Sequence, residues 1–257
     1  MALEVRNMFK DRGNPCGLFT PGHFILLIST LLIIILLLYI SRNLDKKKIK
    51  HISKIAILII SQLELIKILF NFIYGYFNVE NWAPISYCAT FIPAMYLASF
   101  GKGKLEEIGD SFISCCFIAG LAFLIFPTTS LTEVPAFHYL AVYSFLYHGA
   151  MFYFGIIYLF KINNTITKKD LLGHLILVFS MSFIAIFINT IWDRNLMFLR
   201  RTPYLPITII VNILNKLNIF YTPVVVLLYT ILPFTCAFLL SKFKKKEKQT
   251  TEEKIYA

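Results

Sequence analysis

The sequence predicts an all-α fold: a polytopic integral membrane protein, one domain over residues 1–257 built as a bundle of seven transmembrane helices. Three observations lead there. Hydrophobic residues make up 58% of the chain, charged residues 15%, and mean hydropathy is +0.70; a soluble domain carries about 25% charge to keep its surface wetted. Seven apolar runs approach the roughly twenty residues that a helix needs to cross a hydrocarbon core of about 30 Å. The loops between them alternate between rich and poor in basic residues. Soluble enzymes, disordered tails and disulfide scaffolds are excluded.

The first run, 23–41, is long, is followed by a basic stretch and shows no small-residue cleavage site, so it reads as a retained helix and not a signal peptide. The second, 53–73, carries Gln62, Glu64 and Lys67. The third, 83–100, opens Trp82-Ala-Pro-Ile-Ser-Tyr-Cys88. The fourth, 111–127, holds Cys115 and Cys116, which point in different directions on a helix. The fifth, 137–160, has His148 near its middle. The sixth, 171–191, ends in a polar cluster of Asn189, Asp193, Arg194, Asn195, Arg200 and Arg201. The seventh is 220–241. Residues Pro203 to Leu214 are apolar too, but Pro203 and Pro206 break them into a short outer-face or re-entrant segment.

Loops 42–54, 101–110, 161–170 and 242–257 together hold 17 Lys and Arg, and the stretches on the other side hold 7. The positive-inside rule therefore places the N-terminus outside and the C-terminus in the cytoplasm, in a cell membrane. The net charge of +11 is absorbed by topology and anionic headgroups, so nucleic acid is not an expected partner. Five cysteines, four of them inside apolar runs, do not form a disulfide framework. Metal-binding, phosphate-loop and serine-elbow motifs are absent from the sequence, and no metal or cofactor is expected.

Polar groups inside spans are expensive and mark sites. Glu64 and Lys67, spaced i, i+3, share a helix face, where they either neutralise each other and lock the second span or serve binding. Cys88 is expected about 9 Å below the outer surface and His148 about 15 Å below it, one helical turn apart. A thiol with a nearby imidazole is the minimum set for nucleophilic acyl transfer, although each residue alone also fits simple packing. Arginines at headgroup level, Arg200 and Arg201, can hold lipid phosphates or act as interfacial anchors.

Taken in order, Phe19 and His23 entering the first span, Pro84 and Cys88 opening the third, His148 in the fifth, and Asn189 through Asn195-Leu-Met-Phe-Leu to Pro203 carry a resemblance. The chain resembles the YwaF-like family of bacterial integral membrane proteins, related to a eukaryotic transmembrane family that includes an ether-phospholipid acyltransferase. The resemblance implies transfer of a fatty acyl chain between phospholipids through a cysteine and a histidine, at Cys88 and His148. The bacterial pattern has His and Leu before the cysteine region where this chain has Ser86 and Tyr87.

The function expected is thus a membrane-embedded Cys-His acyltransferase acting on phospholipid and lysophospholipid. Cys88 is the nucleophile and His148 the base, Asn189 or Asn195 donates to the oxyanion, and Arg200 and Arg201 hold the phosphate. The alternative is a small-solute binding or transport protein, with Gln62, Glu64, Lys67 and the asparagines lining a polar cavity and Cys88 merely packing.

Overall fold

The computed structural model describes residues 14–73, 79, 83–163, 165–202 and 208–256, with side chains described as far as residue 243. Its elements are α1 (Pro21–Ser41), α2 (Lys46–Ile73), α3 (Phe91–Phe100, entered through a 3-10 turn at Cys88–Thr90), α4 (Lys104–Ile125) and α5 (Tyr139–Ile157, continued by a π-helical stretch to Asn163). They are followed by α6 (Lys168–Trp192), α7 (Thr208–Asn215) and α8 (Tyr221–Tyr256). Among the described residues there is no strand.

Six helical stretches are long and apolar enough to cross a membrane: α1, α2, α4, α5 with its π-helical end, α6, and Asn218–Phe243. The third expected span is shorter. Its helix occupies only Cys88–Phe100, about 20 Å of rise. Pro84 has no amide hydrogen and disfavours a helical Ala83 before it, and Ser86 then caps the helix late. Trp82, Pro203 and Pro206 lie outside the described residues. Of the apolar stretch 203–214 the described part lies in α7, eight residues long with none buried, too short for an eighth span.

α4 is the hub, packing against α3, α5, α6 and α8, while α1 packs on α5 and α2 on both α3 and α5. α4 and α5 are accordingly the most buried of the spans, whereas α1, α2 and α6 expose most of their large apolar side chains. Phe91, Phe112, Phe145, Met151 and Tyr158 form the core between them. Close approach of α4 and α5 depends on two glycines. A Cβ on Gly120 would sit 2.7 Å from the His148 carbonyl oxygen, and one on Gly155 would sit 2.7 Å from the Phe117 amide nitrogen.

Local chemistry fixes the helix ends. Thr20 accepts the His23 amide at the start of α1, where Pro21 occupies the first helical position. Thr167 and Asp170 form a reciprocal capping box on α6. All five cysteines are free thiols.

Candidate functional site

Cys88 stands at the start of a half-length helix in the middle of the bundle. Ser86 Oγ accepts the Ala89 amide at 2.9 Å, and the Thr90 amide reaches the Ser86 and Tyr87 carbonyls at 3.2 Å each. The amides of Tyr87 and Cys88 precede the first bonded turn, and neither finds an acceptor on another described residue, the Cys88 amide facing its own sulfur. An unspent pair of amides at the positive end of a helix favours negative charge there. Cys88 as a residue is half-buried.

The sequence expectation sets Cys88 about 9 Å below the outer surface; in the bundle its partners lie well along the neighbouring helices. Tyr147, eight residues into α5 and so about 12 Å along its axis, donates its hydroxyl to the Cys88 carbonyl at 2.9 Å. The Tyr87 ring lies against Phe112, 5.5 Å between centroids, and against His174 at 6.2 Å, both in the first halves of α4 and α6. It also stacks on Tyr229 at 5.1 Å. Cys88 is therefore central, and α3 fills only the half of the bundle toward Lys50 and Lys54. The late helix start at Ser86 is the cause.

His148 occupies the same level, one residue beyond Tyr147. Its Nδ1 lies 2.7 Å from the Ser144 carbonyl; a carbonyl only accepts, so Nδ1 carries the proton and Nε2 keeps its lone pair. The ring stacks on Phe123 with centroids 3.5 Å apart and planes at 7°. Among the described residues no hydrogen bond joins the Cys88 thiol to this ring. What joins the two segments is the Tyr147–Cys88 bond, while Gly120 lets α4 press against the His148 backbone.

Three of the other histidines, His23, His138 and His174, hold structure. His23 Nδ1 accepts the amide of Phe19, which adopts φ 58°, and its Nε2 donates to the Leu124 carbonyl at 3.0 Å, so both ring nitrogens are used. His138 caps α5 through the Leu140 amide. His174 donates from Nε2 to the Tyr229 carbonyl at 3.2 Å and stacks on Phe112.

The polar cluster after α6 builds a plug. Asn189 Nδ2 donates to the Leu196 carbonyl and its Oδ1 accepts the Leu196 amide, while Asn195 Oδ1 accepts the amides of Arg200 and Arg201. Both asparagines thus hold the loop, and Leu196, Met197 and Leu199 turn into the bundle and are buried. Tyr229, Tyr221 and Thr222 of α8 donate to the Met197, Phe198 and Leu199 carbonyls at 2.9, 2.7 and 2.6 Å. Met197 and Phe198 take φ 55° and 52°, a left-handed backbone that costs bulky side chains about 1–3 kcal/mol each. Arg200 pairs with Asp193 and donates to the Asn189 carbonyl, whereas the Arg201 side chain remains 71% exposed, 3.9 Å from Asp193.

Glu64 and Lys67 do meet. Their ion pair measures 2.5 Å, Glu64 is buried, and the Tyr143 hydroxyl donates to the second carboxylate oxygen. Gln62 lies on the exposed face of α2. Among the described residues no group of three or more His, Cys, Asp and Glu could hold a metal ion.

Reasoning from residue order missed Tyr147, the Ser86 cap and the Tyr87–Tyr229–His174 aromatic cluster. A serine three residues before Ala89, just after Pro84, was the available signal for the cap. The aromatic contacts are tertiary and leave no trace in spacing.

A family model described as the TMEM164 family matches residues 18–240. The chain belongs to the TMEM164 family. The match begins one residue before Phe19, ends within α8, and contains Cys88, His148 and the whole plug. With six helices of crossing length, the chain is a multi-pass membrane protein of that family. No curated protein and no solved structure matches it.

Proposed function

We propose that this protein is a membrane-embedded acyltransferase that moves acyl chains of phospholipid and lysophospholipid through Cys88. The observation that carries the reading is the start of the half-helix: a thiol with two unspent amides, tied by Tyr147 to the turn of α5 that holds a histidine with a free Nε2. The resemblance to the YwaF-like family, and to the eukaryotic family related to it, assigns nucleophile and base to the same two positions.

A donor phospholipid enters between helices with its phosphate at the exposed Arg201. Substrate binding brings the thiol and His148 Nε2 into hydrogen-bond reach, a tightening common on passing from the free enzyme to the Michaelis complex. His148 Nε2 takes the thiol proton as sulfur attacks the ester carbonyl. The amides of Tyr87 and Cys88 receive the oxyanion, the role first expected of Asn189 or Asn195, whose amides hold the plug. The ester C–O bond breaks, and the departing lysolipid oxygen takes the proton from His148. An acceptor hydroxyl then gives its proton to His148 and attacks the thioester, and the released thiolate recovers that proton. Scarcity of water among Tyr87, Phe91, Tyr147 and Tyr229 favours transfer over hydrolysis.

In this reading the short α3 with its approach from residue 83 is a seventh, broken span of a single transmembrane domain, the N-terminus is outside and the C-terminus cytoplasmic. The pairing of Glu64 with Lys67 and Tyr143 supports a bundle-locking role for that cluster and not a solute path. Acyl exchange between labelled phospholipid and lysophospholipid, measured in vesicles containing the protein, tests the function. Cys88→Ala and His148→Ala each abolish it while folded protein stays in the membrane, and the double variant is no worse than either single. Undiminished exchange in Cys88→Ala contradicts the mechanism.

A further inference from the structure

A cavity of about 540 Å³ opens at the start of α2, between that helix, the beginning of α4 and the π-helical end of α5. It lies at the opposite end of α6 from Arg200 and Arg201. Its α2 wall carries Lys46, Lys47, Lys50, His51 and Lys54. The charge in this place runs against the helix: a helix N-terminus is already the positive end of its dipole, and lysines there are unfavourable unless an anion sits near them. Asp45 relieves part of this by accepting the Lys48 amide at 2.8 Å.

Two of the lysines are spent on building the walls. Lys46 Nζ donates to the Ile162 carbonyl at 2.7 Å. Lys50 Nζ reaches the Ala98 carbonyl at 2.8 Å, Asp110 at 2.5 Å and Glu106 at 2.9 Å. Lys54 lies over the Phe100 ring, 5.5 Å from its centroid. Lys47 and His51 have neither a hydrogen bond nor an ion pair among the described residues, and both are exposed. Four lysines against the carboxylates of Glu106 and Asp110 leave two positive charges in excess around the cavity.

Loop lysines that merely set topology need only be solvated. These line a concavity, with donors left over and the helix dipole behind them. Beside it, α2 continues with Ile52, Ile55, Leu58 and Ile59 exposed on its outer face, an aliphatic track on which an acyl chain can lie. We propose that this cavity binds a phosphate group, of the kind an anionic phospholipid headgroup presents. Lys47 and His51 are its free donors, Lys54 its flanking charge, and the first turn of α2 contributes its dipole. The proposal is independent of the acyl-transfer reading, since none of these residues takes part in it.

The test is binding by the purified full-length protein of dioctanoyl phosphatidic acid, of inorganic phosphate and of dioctanoyl phosphatidylcholine, measured by native mass spectrometry and by the shift of the thermal midpoint. The variants are Lys47→Gln with His51→Gln, both at exposed positions that carry no packing, and Lys242→Gln as a control for lost charge elsewhere. The expected result is tight binding of phosphatidic acid, weaker binding of phosphatidylcholine, and a loss of about tenfold in the double variant with none in the control. Inorganic phosphate binding as tightly as the lipid, with the same dependence on Lys47 and His51, supports the anion site with free phosphate as its source. Equal binding by wild type and double variant, or an equal loss in Lys242→Gln, overturns the proposal.

Discussion

Two polar residues in α2 show what a buried charge is for. Glu64 and Lys67 face each other at 2.5 Å with Tyr143 on the other carboxylate oxygen. Removing one partner strands the other in a dry interior, which costs about 3–5 kcal/mol, whereas replacing both by apolar residues of similar volume is close to neutral. Lys67→Met should therefore lower the thermal midpoint in detergent far more than Glu64→Leu with Lys67→Met; equal losses would mean that the pair does not act as a unit. This pair was legible in the sequence because i, i+3 spacing is local. Cys88 was legible as a residue, but its contacts in the bundle depend on where a helix begins, and that depends on Pro84, on the Ser86 cap and on a tyrosine 59 positions away.

At the scale of elements, the half-helix α3 and the plug are where the fold departs from seven plain crossings. Long apolar periodicity identified the other spans, although α2 begins at Lys46 and α4 at Lys104, each ahead of its apolar run at 53 and 111, and hydropathy does not see a proline and a serine cap that delay a helix. Ser86→Ala should destabilise the start of α3 by about 0.5–2 kcal/mol, and it should also slow acyl exchange, because the Cys88 amides lose their fixed direction; a lowered midpoint with full exchange would separate the cap from the site. Contact between α4 and α5 makes a second demand. At Gly120 even a methyl group meets the His148 carbonyl at 2.7 Å and the Phe152 amide at 2.8 Å. Gly120→Ala is expected to cost about 1–3 kcal/mol, read as a lowered thermal midpoint, with acyl exchange falling as α5 is pushed away. The asparagines drew notice in the sequence as possible ligands, and both bind backbone in the plug: a hydrogen bond seven residues away within a loop cannot be told from a ligand contact by residue type.

For the whole molecule, burial divides the helices into an inner pair, α4 and α5, and a lipid-facing set around them. The proposed orientation rests on the loop charges, 17 against 7, and predicts that a reporter fused to the C-terminus behaves as cytoplasmic; surface-type activity there would reverse the map. The central claim is that Cys88 carries an acyl group in transit. It is tested most directly by incubating purified protein with a phospholipid bearing a labelled acyl chain, quenching at low pH and mapping the label by peptide mass spectrometry. The account predicts a hydroxylamine-labile acyl mass on the peptide containing Cys88, discharged by added lysophospholipid and absent in His148→Ala. Acyl exchange that proceeds with no label on Cys88 would contradict it.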